Sequence, residues 1–217
     1  MNLGCSVPKG TLFYGALGKG ESVVIVANGV TNGAQVITAY TIDGVFLEVL
    51  SDSTYDNLTP KGLAKLDPFN FIAAFDGGSD ILGKVASIGG YTTFVNNSNL
   101  SGTLFQMDYH QSSKTYFVIE GNTIEGFDSA GNRVGSAANP VINTTVGSCV
   151  LSTHRGIAID QTNNRMFVTN SAGATQRLLV YDLTSPSVPT CLTTNSTMGN
   201  NTAIPGKFQD RCRVRVD

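Results

Sequence analysis

One phrase recurs along this chain, and it constrains the fold more tightly than any motif. Its fullest copy runs His154-Arg155-Gly156-Ile157-Ala158-Ile159-Asp160, then Asn163-Asn164-Arg165-Met166-Phe167-Val168-Thr169-Asn170, then Leu178-Leu179-Val180-Tyr181-Asp182-Leu183. Physically this is a strand ending in Asp, a polar turn, a second strand, a loop, and a third strand closing on an aromatic-Asp turn. A second copy is Lys61-Gly62-Leu63-Ala64-Lys65-Leu66-Asp67 followed by Asn70-Phe71-Ile72-Ala73-Ala74-Phe75-Asp76. A third is Thr103-Leu104-Phe105-Gln106-Met107-Asp108, Thr115-Tyr116-Phe117-Val118-Ile119-Glu120 and Thr123-Ile124-Glu125-Gly126-Phe127-Asp128. The first copy aligns with the third without a gap: Thr11-Leu12-Phe13 lies over Thr103-Leu104-Phe105, and Val24-Ile25-Val26 over Tyr116-Phe117-Val118. A unit that cannot bury its apolar face alone must stack on its neighbours, so the repetition implies radially repeated β-structure.

The repeat Asp residues are 41, 52 and 57 positions apart (Asp67, Asp108, Asp160, Asp217), which suits four-stranded propeller blades of about 40–50 residues with loop insertions. Arg211-Cys212-Arg213-Val214-Arg215-Val216-Asp217 lies over His154–Asp160, as the first strand of a further blade. The expectation is an all-β chain, a β-propeller of about four four-stranded blades plus the first strand of a fifth. Blades are expected at about 11–58, 59–101, 102–150 and 151–206, with a stub at 207–217, in one incomplete domain spanning 1–217. Apolar residues alternate or run in bursts of about five, bounded by Gly, Asn, Asp and Pro, and no stretch holds a helical period for three turns. Asp43-Gly44 and Ala130-Gly131-Asn132 read as tight turns. Residues 184–206, rich in Ser, Thr, Asn and Pro, read as an exposed loop.

At the residues Gly156–Asp160, Asn164–Asn170 and Val180-Tyr181-Asp182 the chain resembles NHL-type and YVTN-type propeller repeats. The resemblance implies a ring of about six or seven blades, of which this chain is a fragment, and a role as a binding platform. It is also similar to the neighbouring gluconolactonase-like propellers, in which an oxygen ligand for calcium precedes the Gly-apolar start of a first strand. Here those positions hold Lys61 and Arg155, with Gly102 and Cys212 in the other copies. A cation cannot ligate calcium, so no catalytic metal or other cofactor is expected from these residues.

Other chemistry is sparse. His110 falls in the expected turn of the third copy and His154 opens the first strand of the fourth, so the two do not share a site. No Ser occupies a Gly-X-Ser-X-Gly elbow. Gly15-Ala16-Leu17-Gly18-Lys19-Gly20-Glu21 lacks the Ser or Thr that a phosphate loop needs after Gly-Lys, and reads as a hairpin. Asp76-Gly77-Gly78-Ser79-Asp80 reads as a turn. One constellation stands out: each second strand ends in an oxygen-bearing side chain, Asn28, Asp76, Glu120 and Asn170. Antiparallel geometry should return these ends to the rim where the first strands start, beside Lys61 and Arg155. The six residues are the candidate ligand-binding set, with Glu120 the member that turn chemistry explains least.

Charged residues are only 14% of the chain and the net charge is −2, against the basic footprint that nucleic acid requires. No window reaches about 18 uninterrupted apolar residues, so no membrane span is expected. The cysteines Cys5, Cys149, Cys191 and Cys212 have no zinc spacing. A bridge from Cys191 to either Cys149 or Cys212 would suit an oxidising compartment. Together these readings lead to a non-catalytic, extracytoplasmic or secreted platform for a protein or polar ligand, capable of self-association through exposed blade edges. The alternative is a gluconolactonase-like hydrolase with ligands on absent blades.

Overall fold

The computed structural model describes residues 11–15, 22–28, 36–50, 58–66, 70–77, 81–86, 91–96, 99–100, 102–135, 140–152, 154–170 and 177–195. At some strand ends, Asn28 and His154-Arg155 among them, it describes the backbone alone. All regular structure among these residues is antiparallel β apart from one helical turn residue. The chain divides into two compact units, Met1–Gln106 and Met107–Asp217.

The first unit holds two four-stranded meanders. One is β1 (Thr11–Gly15), β2 (Ser22–Asn28), β3 (Val36–Thr41) and β4 (Phe46–Val49), paired in that order; the other is β5 (Thr59–Lys65), β6 (Asn70–Asp76), β7 (Ile81–Ala86) and β8 (Tyr91–Val95). Alternation decides which face is buried. Val23, Ile25 and Ala27 of β2, with Ile37 and Ala39 of β3, pack against Leu63, Phe71, Ala73, Phe75 and Val85 of the other sheet. Ile72 and Ala74, on the opposite face of β6, are equally buried. A strand covered on both faces reads as a continuous apolar run, as Phe71-Ile72-Ala73-Ala74-Phe75 does. Gly44, at φ +85°, closes the β3–β4 turn, where the Gly44 N–H donates to the Thr41 carbonyl at 3.0 Å.

The second unit contains β9 (Leu104–His110, which begins in the first), β10 (Thr115–Glu120) and β11 (Thr123–Phe127), a small hairpin β12 (Thr145–Val146) and β13 (Cys149–Val150), and a four-stranded sheet β14 (His154–Asp160), β15 (Arg165–Asn170), β16 (Arg177–Asp182) and β17 (Thr190–Asn195). Two of the strand-ending Asp residues, Asp160 and Asp182, cap turns. Asp160 Oδ1 accepts from the Thr162 and Asn163 N–H groups at 3.0 and 3.1 Å, and Asp182 Oδ1 accepts from the Thr184 N–H at 2.7 Å. The β9–β10 and β14–β15 turns share one conformation, with Lys114 (φ 54°) and Asn164 (φ 51°) left-handed at the last turn position.

Two expectations need correction. Among the described residues the third sheet has three strands, β9 to β11, and Ile142 makes an isolated bridge with Ile124. The segment 184–206 is not simply loop, because its Thr-rich part is β17, the fourth strand of the last sheet. Its polarity reads as loop, yet β-branched Thr fits an edge strand. The stub at 207–217 lies outside the described residues.

A disulfide joins Cys149 to Cys191, tying β13 to β17 across 42 residues. Chain entropy puts its contribution at about 4 kcal/mol, so Cys149→Ala should lower the melting temperature by at least about 5 °C; a melt unchanged under non-reducing conditions would refute this. Gly126 is a second sensitive point. A Cβ there would lie 2.7 Å from Val141 Cγ2, a short stiff side chain. Gly126→Ala should destabilise the second unit by about 1–3 kcal/mol in chemical denaturation.

Candidate functional site

The second strands β2, β6, β10 and β15 do end on Asn28, Asp76, Glu120 and Asn170. Lys61 and Arg155 share a backbone role that the sequence did not reveal. Pairing of β5 with β6 steps from Pro60↔Phe75 to Gly62↔Ala74, leaving Lys61 as the extra residue of a bulge. Pairing of β14 with β15 steps from His154↔Asn170 to Gly156↔Thr169, leaving Arg155 extra in the same way. A bulge re-aims the side chain of its extra residue. Each bulge lies beside the end of its second strand.

The structure gives these residues different tasks. Lys61 Nζ lies 3.3 Å from Asp76 Oδ2, with the two side chains 22% and 20% exposed. Asp76 Oδ1 also accepts from the Leu104 N–H at 3.2 Å, so this carboxylate is held by an ammonium and by the start of β9. Asn170 is buried; its Nδ2 donates to the Val150 carbonyl at 3.1 Å and its Oδ1 accepts from Ser152 Oγ at 3.3 Å. It pins the segment that leads into β14. The side chains of Asn28 and Arg155 lie outside the described residues.

Glu120 is buried on the same face of the β10–β11 hairpin as Glu125, a residue the sequence reading passed over. Its signal was a carboxylate inside a buried strand, Thr123-Ile124-Glu125-Gly126-Phe127. Gly131, at φ +84°, turns the following segment back so that Arg133 bridges to Phe127. The Arg133 guanidinium forms an ion pair with Glu125 Oε2 and lies 5.5 Å from the Phe127 ring centroid. Thr123 Oγ1 contacts Glu125 Oε1 at 3.3 Å. Burial raises the Glu125 pKa above the usual carboxylate value; Arg133 opposes that shift, Glu120 adds to it and Thr123 opposes it.

His110 is not in a turn but ends β9, where it is buried. Its Nδ1 meets Ser113 Oγ at 2.7 Å, and its Nε2 meets Asn164 Oδ1 at 2.9 Å and Ser112 Oγ at 3.0 Å. Nearby, Asp108 Oδ2 accepts from the Ile159 N–H at 2.8 Å, and Gln161 Nε2 donates to the Tyr109 carbonyl at 2.6 Å. These contacts make a polar seam between the last two large sheets. Among the described residues no group of three or more His, Cys, Asp or Glu side chains is placed to share a metal ion.

Repeated antiparallel meanders of this kind match propellers among solved structures. The chain is similar to a chain of a nidogen/laminin complex (TM-score 0.57, 14% identity, 85% of this chain and 61% of that one). It is similar to the Dos1 propeller (0.53, 12%, 84% and 45%). It is also similar to a gluconolactonase of Xanthomonas campestris (0.50, 15%, 73% and 53%). The fold is a β-propeller. The chain spans between about half and three-fifths of the length of these propellers, and at such identities the likeness establishes fold alone. No protein-family profile matches the chain, and no curated protein matches it in sequence.

The carboxylate pair makes a signed prediction. A carboxyl whose folded pKa is raised contributes stability that is complete below its unfolded pKa and is lost as pH rises through the folded value. Glu120→Gln removes a like charge, so the Glu125 titration midpoint should fall; Arg133→Leu removes the opposing charge, so it should rise. Carbon-detected NMR of the Glu125 carboxyl reads both, and a midpoint indifferent to either change would sink the coupling.

Proposed function

We propose that this propeller is a non-catalytic binding platform of the NHL or YVTN kind, working outside the cytoplasm, that docks a protein on the β3–β4 hairpin of its first sheet. The observation that carries this reading is an apolar patch. Ile42, Val45, Phe46, Leu47 and Val49 are 67%, 61%, 53%, 39% and 50% exposed. Single exposed apolar residues are ordinary, but five within eight positions, two in the β3–β4 turn and three on β4, mark an interaction surface. The Cys149–Cys191 bridge supports an oxidising compartment.

The rim set has a second part in the proposal. Asn28 in the first unit and, separately, Arg155 in the second are each a candidate to meet a polar ligand. Lys61 pairs with Asp76, which with Asn170 holds the surrounding backbone, and Glu120 lies buried on the face it shares with Glu125. The gluconolactonase likeness favours a hydrolase as the competing reading. Against it, the bulge position beside Asp76 carries an ammonium that already occupies that carboxylate.

A photo-crosslinking residue at position 46 of the full chain, expressed in its own host, tests the platform. It should yield a protein adduct of defined mass that disappears with Val49→Asp and never forms from exposed Thr162. The absence of any adduct, or its persistence with Val49→Asp, would remove the docking reading. Calorimetry with calcium and a turnover assay with sugar lactones should both be silent, and saturable calcium binding with lactone hydrolysis would favour the hydrolase.

A further inference from the structure

We infer that the free edge of β4 receives the segment Arg211–Val216 of a second copy of this chain as an added antiparallel or parallel strand; the inference rests on the docking reading above and names its occupant. Three observations carry it. First, β4 is a sheet edge: it pairs with β3 on one side, and among the described residues no strand pairs with the other. Edge strands are ordinarily guarded by Lys, Pro, bulges or inward charges; Phe46-Leu47-Glu48-Val49 has no Lys or Pro, it bulges at Leu47, and its one charge, Glu48 on the Ala39 face, is the group an added basic strand would meet.

Second, the charges are complementary. From residue 20 to residue 60 the chain has carboxylates at Glu21, Asp43, Glu48, Asp52 and Asp56 and no Lys, Arg or His. From 207 to 216 it has Lys207, Arg211, Arg213 and Arg215 against a single Asp210. Opposite charges on neighbouring strands are favourable, and like charges directly opposed are not. Pairing β4 with β4 of another copy would set acidic hairpins against each other, so charge selects the basic segment over self-pairing.

Third, the two faces match. On β4, Phe46 lies opposite Tyr40 and packs edge-on against its ring at 5.8 Å, and Val49 lies opposite Thr38. Glu48 lies opposite Ala39, on the other face. In an extended strand Arg211, Arg213 and Arg215 fall on one side, and Cys212, Val214 and Val216 on the other. Added to β4, such a strand brings its arginines to the Glu48 face and its valines to the Phe46–Val49 face. Main-chain hydrogen bonds supply affinity and the alternating side chains supply register, the general mode of strand addition.

The test is sedimentation equilibrium of the full chain at about 1–100 μM, in a Cys5→Ser/Cys212→Ser background so that intermolecular disulfides play no part. The chain should associate with concentration, and association should weaken as salt rises. Arg211→Glu/Arg213→Glu/Arg215→Glu should weaken it at least about tenfold, and adding Glu48→Lys to that triple variant should restore part of the loss. Thermal melts of each variant check that the fold is retained. A monomer at every concentration overturns the inference. So does association that survives the arginine triple but is lost with Phe46→Asp/Val49→Asp, a result that leaves the docking reading intact with a different occupant.

Discussion

The structure depends on burying second strands on both faces. β6 and β10 are covered front and back, and every residue of β10 is buried. A strand so placed has no wet face, so it is stable only where other parts of the chain cover both sides. That requirement favours repetition, because one meander can supply half of another's core. In the first unit this is the contact of Ile25, Ile37 and Ala39 with Phe71, Ala73 and Phe75. At about 25 cal/mol per Å² of apolar surface buried, such faces dominate the stabilising terms.

Apolar faces alone leave registers loose, because two flat sheets can slide past one another. Buried polar groups supply the registration. In the second unit Asp108 fixes β14 through the Ile159 N–H, and His110 gathers Ser112, Ser113 and Asn164. Asn170 ties Val150 and Ser152, and in the first unit Asp76 ties Lys61 and the Leu104 N–H. Several residues that look like chemistry in the sequence are therefore fasteners. A buried polar group that holds its partners is conformationally specific, and removing one partner leaves the other desolvated.

The β3–β4 hairpin departs from this economy. Everywhere else among the described residues large apolar side chains are exposed singly or in part, as at Val150, Val188 and Leu192. At the hairpin they are clustered, five between residues 42 and 49, within an acidic stretch. Among the described residues nothing covers this surface, and it is the feature on which the docking and strand-addition readings rest.

The sequence by itself determined strand positions, turn chemistry and the repeat. Alternation of Val23, Ile25 and Ala27, the run Phe71–Phe75, and Asp-capped polar turns are local signals, set by periods of two and by side-chain hydrogen bonds within a few residues. It also placed Asn28, Asp76, Glu120 and Asn170 at strand ends. Partnership was a different matter. That Cys191 joins Cys149, that Lys61 and Arg155 are bulge residues, that Glu125 faces Glu120 beneath Arg133, and that Thr190–Asn195 is a strand were decided by residues far apart in sequence. A carboxylate or a bulge looks the same in a local window whether it binds a ligand or a backbone N–H. Only packing, which brings distant groups within about 3 Å of each other, determines which of the two it meets.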